Sequence, residues 1–111
     1  MKLAIIGSRS LSHIELENYI PEGVSEIVSG GAKGIDAIAR DFAKQKGIPL
    51  VEFLPQYSRY GRGAPLKRNE EIALYADEVL ALWDGKSKGT AYTIRLFKRL
   101  GKKVTVISFP T

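Results

Sequence analysis

Short apolar runs alternate along the chain with longer amphipathic segments, and this alternation constrains the fold more than any single motif. Five runs lack a helical period and predict buried strands, at residues 2–6, 26–29, 50–54, 78–82 and 103–107. The segments between them predict helices at residues 12–20, 35–46, 66–75 and 90–100. Strands that alternate with single helices form a parallel sheet that is covered on both faces.

The predicted architecture is α/β: a small doubly wound, Rossmann-like fold around a five-stranded parallel sheet. The strand order 3-2-1-4-5 is favoured, and 2-1-3-4-5 is the alternative. A length of 111 residues suits one domain over residues 1–111. In either order, ligands bind beyond the carboxyl ends of the strands, so the loops that leave the first four strands are the candidate site.

The first predicted helix has a clear start signal. Ser12 and Glu15 have the spacing of a capping box, in which each side chain bonds a backbone N–H at the start of a helix. Leu11 and Leu16 flank them at the spacing of a hydrophobic staple. These signals predict a helix that begins near Ser12 and stops at Pro21.

Composition excludes several classes of protein. The chain has no Cys and one His, which excludes disulfides, a zinc cluster and a thiol nucleophile, and no metal or cofactor is expected. Its longest apolar run, residues 79–83, is too short to span a bilayer, so no membrane partner is expected. The N-terminal apolar run covers only residues 3–6, which argues against a signal peptide and predicts a cytoplasmic protein.

Charge is distributed unevenly along the chain. Residues 1–57 carry a net charge of −1, whereas residues 58–111 carry a net charge of +6. A basic half favours anionic partners such as phosphates, nucleotides or nucleic acid. Four basic residues of this half share one helical face: Arg95, Lys98, Arg99 and Lys102. That face is either a solvated outer surface, which is favoured, or a nucleic-acid surface.

The loop after the second strand has the pattern of a phosphate-binding loop. Residues 29–36 read Ser-Gly-Gly-Ala-Lys-Gly-Ile-Asp, which differs from G-x-G-x-x-G only at the first position. Glycines here let backbone N–H groups approach a phosphate, and the helix that follows adds a positive dipole. The candidate contacts are Gly30, Gly31, Lys33, Gly34 and Asp36. The alternatives are a tight turn that binds nothing and, for Asp36, a helix-capping role.

The loops after the first and fourth strands add candidate contacts. Gly7, Ser8 and Arg9 follow the first strand, and arginine is a fork-shaped donor suited to phosphate. The loop after the fourth strand offers Asp84, Ser87, Gly89 and Thr90. A Walker A motif is excluded there because the required first glycine is missing. For Thr90, a role as helix N-cap is the alternative.

Residues 55–65 hold two Pro, two Gly, two Tyr and two Arg, which predicts a long irregular loop. Arg68 and Asn69 then open the third predicted helix. Arg68 is expected to face the ligand site and donate to phosphate or ribose oxygens. The alternative is an ion pair with Glu70 or Glu71.

Together, the order of these segments resembles the YspA-related branch of the SLOG superfamily. The resemblance is carried by GSR at 7–9, SGGAKGID at 29–36, KRN at 67–69 and WDGKSKGT at 83–90, and it covers nearly the whole chain. The superfamily also includes the LOG-type lysine-decarboxylase-like phosphoribohydrolases and the DNA-processing protein DprA. The resemblance implies a Rossmann-like fold that binds nucleotides or nucleotide-derived signals.

By position, the resemblance implies roles for the loops. Residues 7–9 would line one wall, and the glycines of 29–36 would contact phosphate with support from Asp36. Residues 87–90 would form a second phosphate-contacting loop. Arg68 matches an arginine that LOG-type enzymes carry at the start of the corresponding helix.

One departure from the LOG pattern bears on activity. LOG-type enzymes have P-G-G-x-G-T-x-x-E, but residues 85–93 read Gly-Lys-Ser-Lys-Gly-Thr-Ala-Tyr-Thr, which puts Thr93 at the position of the catalytic glutamate. The favoured function is therefore binding of a nucleotide or ADP-ribose-like ligand by a sensor, carrier or sequestering protein. A hydrolase of N-glycosidic bonds is the alternative, and DNA binding is third. A homodimer is expected because LOG-like relatives often pair through helices.

Overall fold

A computed structural model describes residues 1–109 and contains a five-stranded parallel sheet. The strands are β1 (Lys2–Gly7), β2 (Glu26–Ser29), β3 (Leu50–Glu52), β4 (Glu78–Trp83) and β5 (Lys103–Ser108). They lie in the order β3-β2-β1-β4-β5, and every neighbouring pair is parallel. The predicted order and the α/β class are confirmed. Strand β3 ends two residues earlier than the sequence predicted.

Helices cover both faces of the sheet. They are α1 (Ile35–Lys46), α2 (Tyr57–Tyr60), α3 (Ala64–Tyr75) and α4 (Lys88–Arg99). Alternate residues of β1 divide the core: Leu3 and Ile5 pack with α1, whereas Ala4 and Ile6 pack with α3 and α4. This two-residue alternation gives each sheet face its own apolar cluster, because successive strand side chains point to opposite faces.

The helix predicted at residues 12–20 is wrong. Only a 3-10 turn forms there, at Leu16–Asn18, and His13 has a φ of 58°. Leu11 and Leu16 are both buried in the cluster beneath α1. His13 would be the first residue of the predicted helix, and its left-handed backbone cannot belong to a right-handed helix. The two leucines are buried in one cluster, as a hydrophobic staple would bury them, but no α-helix follows.

The irregular loop predicted at residues 55–65 is also wrong. Helix α2 and a 3-10 turn at Gly61–Gly63 fill it, and α3 follows directly at Ala64. Pro65 stands in the first turn of α3, where a missing backbone N–H breaks no helical hydrogen bond. Pro65 is therefore compatible with the first turn of α3, which begins one residue before it at Ala64.

The C-terminus of α3 is held by a basic side chain from beyond α4. Lys102 Nζ donates to the carbonyls of Ala73 at 2.7 Å, Leu74 at 3.1 Å and Ala76 at 2.7 Å. These carbonyls lie at a helix end and lack partners within the helix, and a cation there also favours the helix dipole. Lys102 therefore has a structural role, unlike the other three residues of the predicted basic face, which are exposed.

Within the described part of the chain, no helix is long and apolar enough to cross a membrane.

Candidate functional site

A cleft of about 400 Å³ opens at the carboxyl edge of the sheet, where β1 lies between β2 and β4. The connections from β1 to β2 and from β4 to β5 run in opposite directions along the sheet, and ligands of doubly wound sheets bind at such a switch point. Most of the predicted contacts line it: Gly7, Arg9, Gly30, Lys33, Asp36, Arg68, Asn69, Asp84, Ser87, Gly89 and Thr90. The structure thus brings together three loops and the start of α3.

The sequence prediction omitted several residues of the cleft wall: Ile6, Ser10, Ala32, Pro65, Leu66 and Ile72. Thr93, which the resemblance put at the position of the LOG-type catalytic glutamate, also lines the cleft. Pro65, Leu66 and Ile72 share α3 with Arg68, so the helical period that places Arg68 in the cleft could have found Ile72, four residues later. Thr93 lies one turn after Gly89 and is 1% exposed.

Three predicted contacts do not line the cleft: Ser8, Gly31 and Gly34. Ser8 is buried, and its Oγ accepts the Asp84 N–H at 3.0 Å. A Cβ on Gly34 would lie 2.8 Å from the Arg9 carbonyl oxygen. A Cβ on Gly31 would run into Leu54. In the structure, Ser8 bonds the loop after β4, and the two glycines let the loop after β2 pack closely against Arg9 and Leu54.

Arg68 crosses from α3 to the loop after β2. Its side chain is 7% exposed, and Nη1 donates to the Gly30 carbonyl at 2.5 Å and to the Phe53 carbonyl at 3.4 Å. Nε donates to Asn69 Oδ1 at 2.8 Å. Among the described residues, Nη2 has no hydrogen-bond partner. The guanidinium thus fixes the loop with one nitrogen and keeps another available at the cleft.

Asp36 faces Arg68 from the first turn of α1. Its carboxylate is 9% exposed, and Oδ2 accepts the Ala32 N–H at 3.0 Å. Burial raises the pKa of Asp36, while the Ala32 N–H and the charge of Arg68 partly counter this rise. Burial also disfavours the charged form of Arg68 and so lowers its pKa, and the negative charge of Asp36 partly counters this fall. The predicted support of this loop by Asp36 has a direct basis in the bond to Ala32.

Helix α4 begins two residues before the predicted start. Ser87 is its N-cap, and its Oγ accepts the Thr90 N–H at 3.3 Å and the Thr90 hydroxyl at 3.0 Å. Thr90 was offered as a possible N-cap, and that alternative is wrong. Thr93 Oγ1 donates to the Gly89 carbonyl at 2.9 Å. Ser87 thus satisfies one free N–H at the start of α4, whereas the hydroxyl of Thr93 bonds a carbonyl one turn earlier.

Asp84 ties the loop after β4 to the loop after β1. Oδ1 accepts the N–H groups of Lys86 at 2.8 Å and Ser87 at 2.9 Å, and Oδ2 accepts the Ser10 hydroxyl at 2.8 Å. These bonds, the one from Lys86 first, hold the pKa of Asp84 far below its ordinary value. The carboxylate therefore stays ionised, and its hydrogen bonds hold the two loops together.

Asp84 gives a pH-dependent prediction. Because its pKa is lower in the folded state, its contribution to stability is present above the ordinary pKa of 3.8 and is lost as pH falls below that value. Denaturant unfolding at a series of pH values should show the parent more stable than Asp84→Asn at pH 7, with the difference shrinking below pH 3.8. A difference that is constant across this range would contradict the assignment.

The charges of the cleft wall are mixed, with an excess of cations. Arg9, Lys33 and Arg68 supply three positive charges, and Asp36 and Asp84 supply two negative ones. Within residues 1–109, no group of three or more His, Asp or Glu side chains could hold a metal ion. The arrangement can bind an anion by charge-assisted hydrogen bonds to three separate elements of the fold.

Comparison with known proteins identifies the first half of the chain. Residues 3–60 match the family model described as YAcAr, the YspA, cpYpsA-related SLOG family. The match runs from β1 through α2 and so includes the loops after β1 and β2. No curated protein and no solved structure matches the chain.

Proposed function

The chain belongs to the YspA, cpYpsA-related SLOG family, and we propose that it binds a nucleotide or a nucleotide-derived, ADP-ribose-like ligand in the cleft between β1, β2 and β4. Family membership supports a role in nucleotide binding or processing. On this proposal the protein acts as a sensor, carrier or sequestering protein. The ligand is held and not converted.

One observation carries the proposal: Arg9, Lys33 and Arg68 come from three separate elements and line one cleft at the switch point of a parallel sheet. Arg68 uses Nε and Nη1 for bonds within the protein, and its Nη2, which is not among the buried atoms that lack a partner, is open to the cleft. A phosphate oxygen would complete its hydrogen bonds. The cleft volume of about 400 Å³ also lies within the range of small-molecule sites.

The test is to identify what the protein binds. Small molecules released from the purified protein are identified by mass spectrometry, and calorimetry then measures binding of AMP, ADP, NAD and ADP-ribose. We expect at least one phosphate-bearing nucleotide to bind with one site per chain. If none binds at millimolar concentration, where the free energy of binding is only about −4 kcal/mol, the proposal fails.

The hydrolase alternative gives a prediction centred on Thr93. Thr93 lies in the cleft wall, and its hydroxyl cannot carry the negative charge that stabilises an oxocarbenium-like transition state or activates water. We therefore expect no release of base from nucleoside monophosphates or NAD above the uncatalysed rate. The assay uses high protein concentration and includes Thr93→Glu, whose folding is checked by thermal unfolding.

Multiple-turnover release of base by the parent protein would contradict this expectation. The reaction would then need another carboxylate in the cleft, and Asp36 and Asp84 are the acidic residues of its wall. Asp36→Asn would be the first variant, since Asp84 already accepts three hydrogen bonds. Neither Glu70 nor Glu71 lines the cleft.

DNA binding stands as a second candidate function because of α4. Arg95, Lys98 and Arg99 are exposed, and they form no ion pair with any residue in the described part of the chain. A duplex would contact this face through its phosphates, so its affinity should fall steeply as salt concentration rises. Binding of duplex DNA that is lost in a triple Gln variant of these residues would favour this candidate over a solvated face.

A further inference from the structure

The two edges of the sheet differ in how well they are protected from other strands. Strand β3 forms one edge and strand β5 the other. Proteins close the open backbone of an edge strand with short length, proline or charged side chains. The edge at β3 has all three: it spans three residues, follows Pro49 directly and ends at Glu52, which pairs with Arg40 at 3.1 Å. This edge is therefore closed to a further strand.

The edge at β5 has no such protection along its middle. Its six residues read Lys-Val-Thr-Val-Ile-Ser, so the four central side chains are uncharged and β-branched. They pair with β4 in an unbroken register that contains no bulge. Val106 is 38% exposed, and no strand within residues 1–109 pairs with β5 on its outer side. An open edge of this composition is a template for another strand.

The open hydrogen-bonding groups of β5 belong to every second residue. Phe109 follows β5, and its N–H donates to the Trp83 carbonyl at 2.8 Å. The odd-numbered residues of the strand therefore direct their backbone groups toward β4. Because successive residues of a strand alternate, Val104, Val106 and Ser108 direct their N–H and C=O groups away from the sheet. A strand that adds to this edge must bond to these three residues.

A second β5 strand satisfies this row when it runs antiparallel with Val106 at the centre. Val106 then lies opposite Val106 of the partner subunit, and Val104 lies opposite Ser108 of the partner subunit. Opposed residues of this kind exchange both of their hydrogen bonds, so every open residue gains a partner. A register centred on Thr105 or Ile107 leaves one open residue opposite a position outside β5.

Charge also favours the antiparallel register. Lys103 is the one ionisable side chain of β5, and in this register it lies opposite the uncharged Phe109 of the partner subunit. The two copies of Lys103 are then about 20 Å apart along the sheet, since a strand rises about 3.3 Å per residue. Parallel pairing in register would place the two lysines side by side, which destabilises a strand pair.

We propose that two chains associate through β5 into a dimer with one continuous ten-stranded sheet, twice the five strands of the chain. The occupant of the edge is a second copy because β5 is complementary to itself. Association stops at two chains because the edge at β3 is closed. This dimer differs from the expected pairing through helices. No residue of β5 lines the cleft, so the inference is independent of the proposed function.

Sedimentation equilibrium at a series of micromolar concentrations measures the association. We expect the parent to dimerise and Val106→Lys, which opposes two like charges, to weaken the dimer about tenfold or more. Leu74→Lys is the control, because Leu74 is 69% exposed on α3, and it should change the affinity by less than about twofold. Thermal unfolding shows that each variant is folded. A monomeric parent, or a Val106→Lys dimer of undiminished affinity, would overturn the proposal.

Crosslinking tests the register separately. The chain has no Cys, so a cysteine introduced by substitution can react only with the same position of a second chain. Val106→Cys brings two thiols together, and a short thiol-to-thiol crosslinker should give a covalent dimer in high yield. Lys103→Cys places its thiols about 20 Å apart and should give little. Equal yields from the two variants, or a higher yield from Lys103→Cys, would contradict the antiparallel register.

Discussion

Gly34→Ala should lower the free energy of unfolding by about 2–4 kcal/mol, because two separate effects act at this position. Gly34 has a φ of 69° and a ψ of −123°, a conformation that is essentially confined to glycine. A Cβ there would also lie 2.8 Å from the Arg9 Cα and 2.9 Å from the Ser8 carbonyl oxygen. Both neighbours are backbone, so the loop after β1 would have to move.

Gly47→Ala is the matched control for this substitution. Gly47 ends α1 with a φ of 68° and a ψ of 28°, and no atom lies within 4 Å of an added Cβ. Only the strain of the left-handed conformation applies, so the expected loss is about 1 kcal/mol. Denaturant unfolding of both variants measures the difference. Equal losses would show that the contact between the two loops contributes nothing.

Arg68→Lys should weaken nucleotide binding at least tenfold, a change of about 1.5–3 kcal/mol for a charge-assisted hydrogen bond. Lysine keeps the positive charge, but its single nitrogen cannot bond the Gly30 carbonyl and still reach a ligand in the cleft. We also expect lower stability, because the buried Gly30 carbonyl or Asp36 would lose a partner.

Arg95→Lys is the control for the same chemical change on an exposed helix face. It should leave both binding and stability within the error of the measurement. Calorimetry gives the affinity, and denaturant unfolding gives the stability of each variant. An Arg68→Lys protein that binds nucleotide as well as the parent would contradict the role of the guanidinium fork.

The sheet could be predicted from the sequence because its signals are local and repeated. Each strand is a short apolar run followed by a glycine or polar loop, and a right-handed crossover then leaves few topologies for five parallel strands. Pattern and chirality left two strand orders open, and the structure has the favoured one, β3-β2-β1-β4-β5. The helix α1 was equally accessible, since its apolar stripe begins at Ile35 and its left-handed cap falls at Gly47.

The first predicted helix failed because its signals described only its two ends. A capping box and a hydrophobic staple fit residues 11–16, but neither pattern predicts the left-handed backbone at His13, with a φ of 58°, that excludes a helix there. The start of α4 failed for a related reason. Ser87 and Thr90 are both good N-caps, and only the fold selects Ser87.

The candidate site was predictable in position but not in the role of each glycine. A glycine pattern shows that backbone must approach something closely, but not whether that neighbour is a ligand or the chain itself. Gly34 packs against Ser8 and Arg9, and Gly31 against Leu54. The sequence did not place Pro65 in the cleft wall, because that requires α3 to begin at Ala64 and not at the predicted Leu66.

The central claim is that the cations of the cleft bind the phosphate of a nucleotide, and a calorimetric titration of Arg9→Ala with the nucleotide that binds the parent tests it most directly. Arg40→Ala is its control, because Arg40 is an exposed arginine paired with Glu52 at 3.1 Å, outside the cleft wall. We predict that Arg9→Ala weakens binding at least tenfold, or about 1.4 kcal/mol, while Arg40→Ala leaves it within about twofold. Equal affinity of the parent and Arg9→Ala would contradict the account.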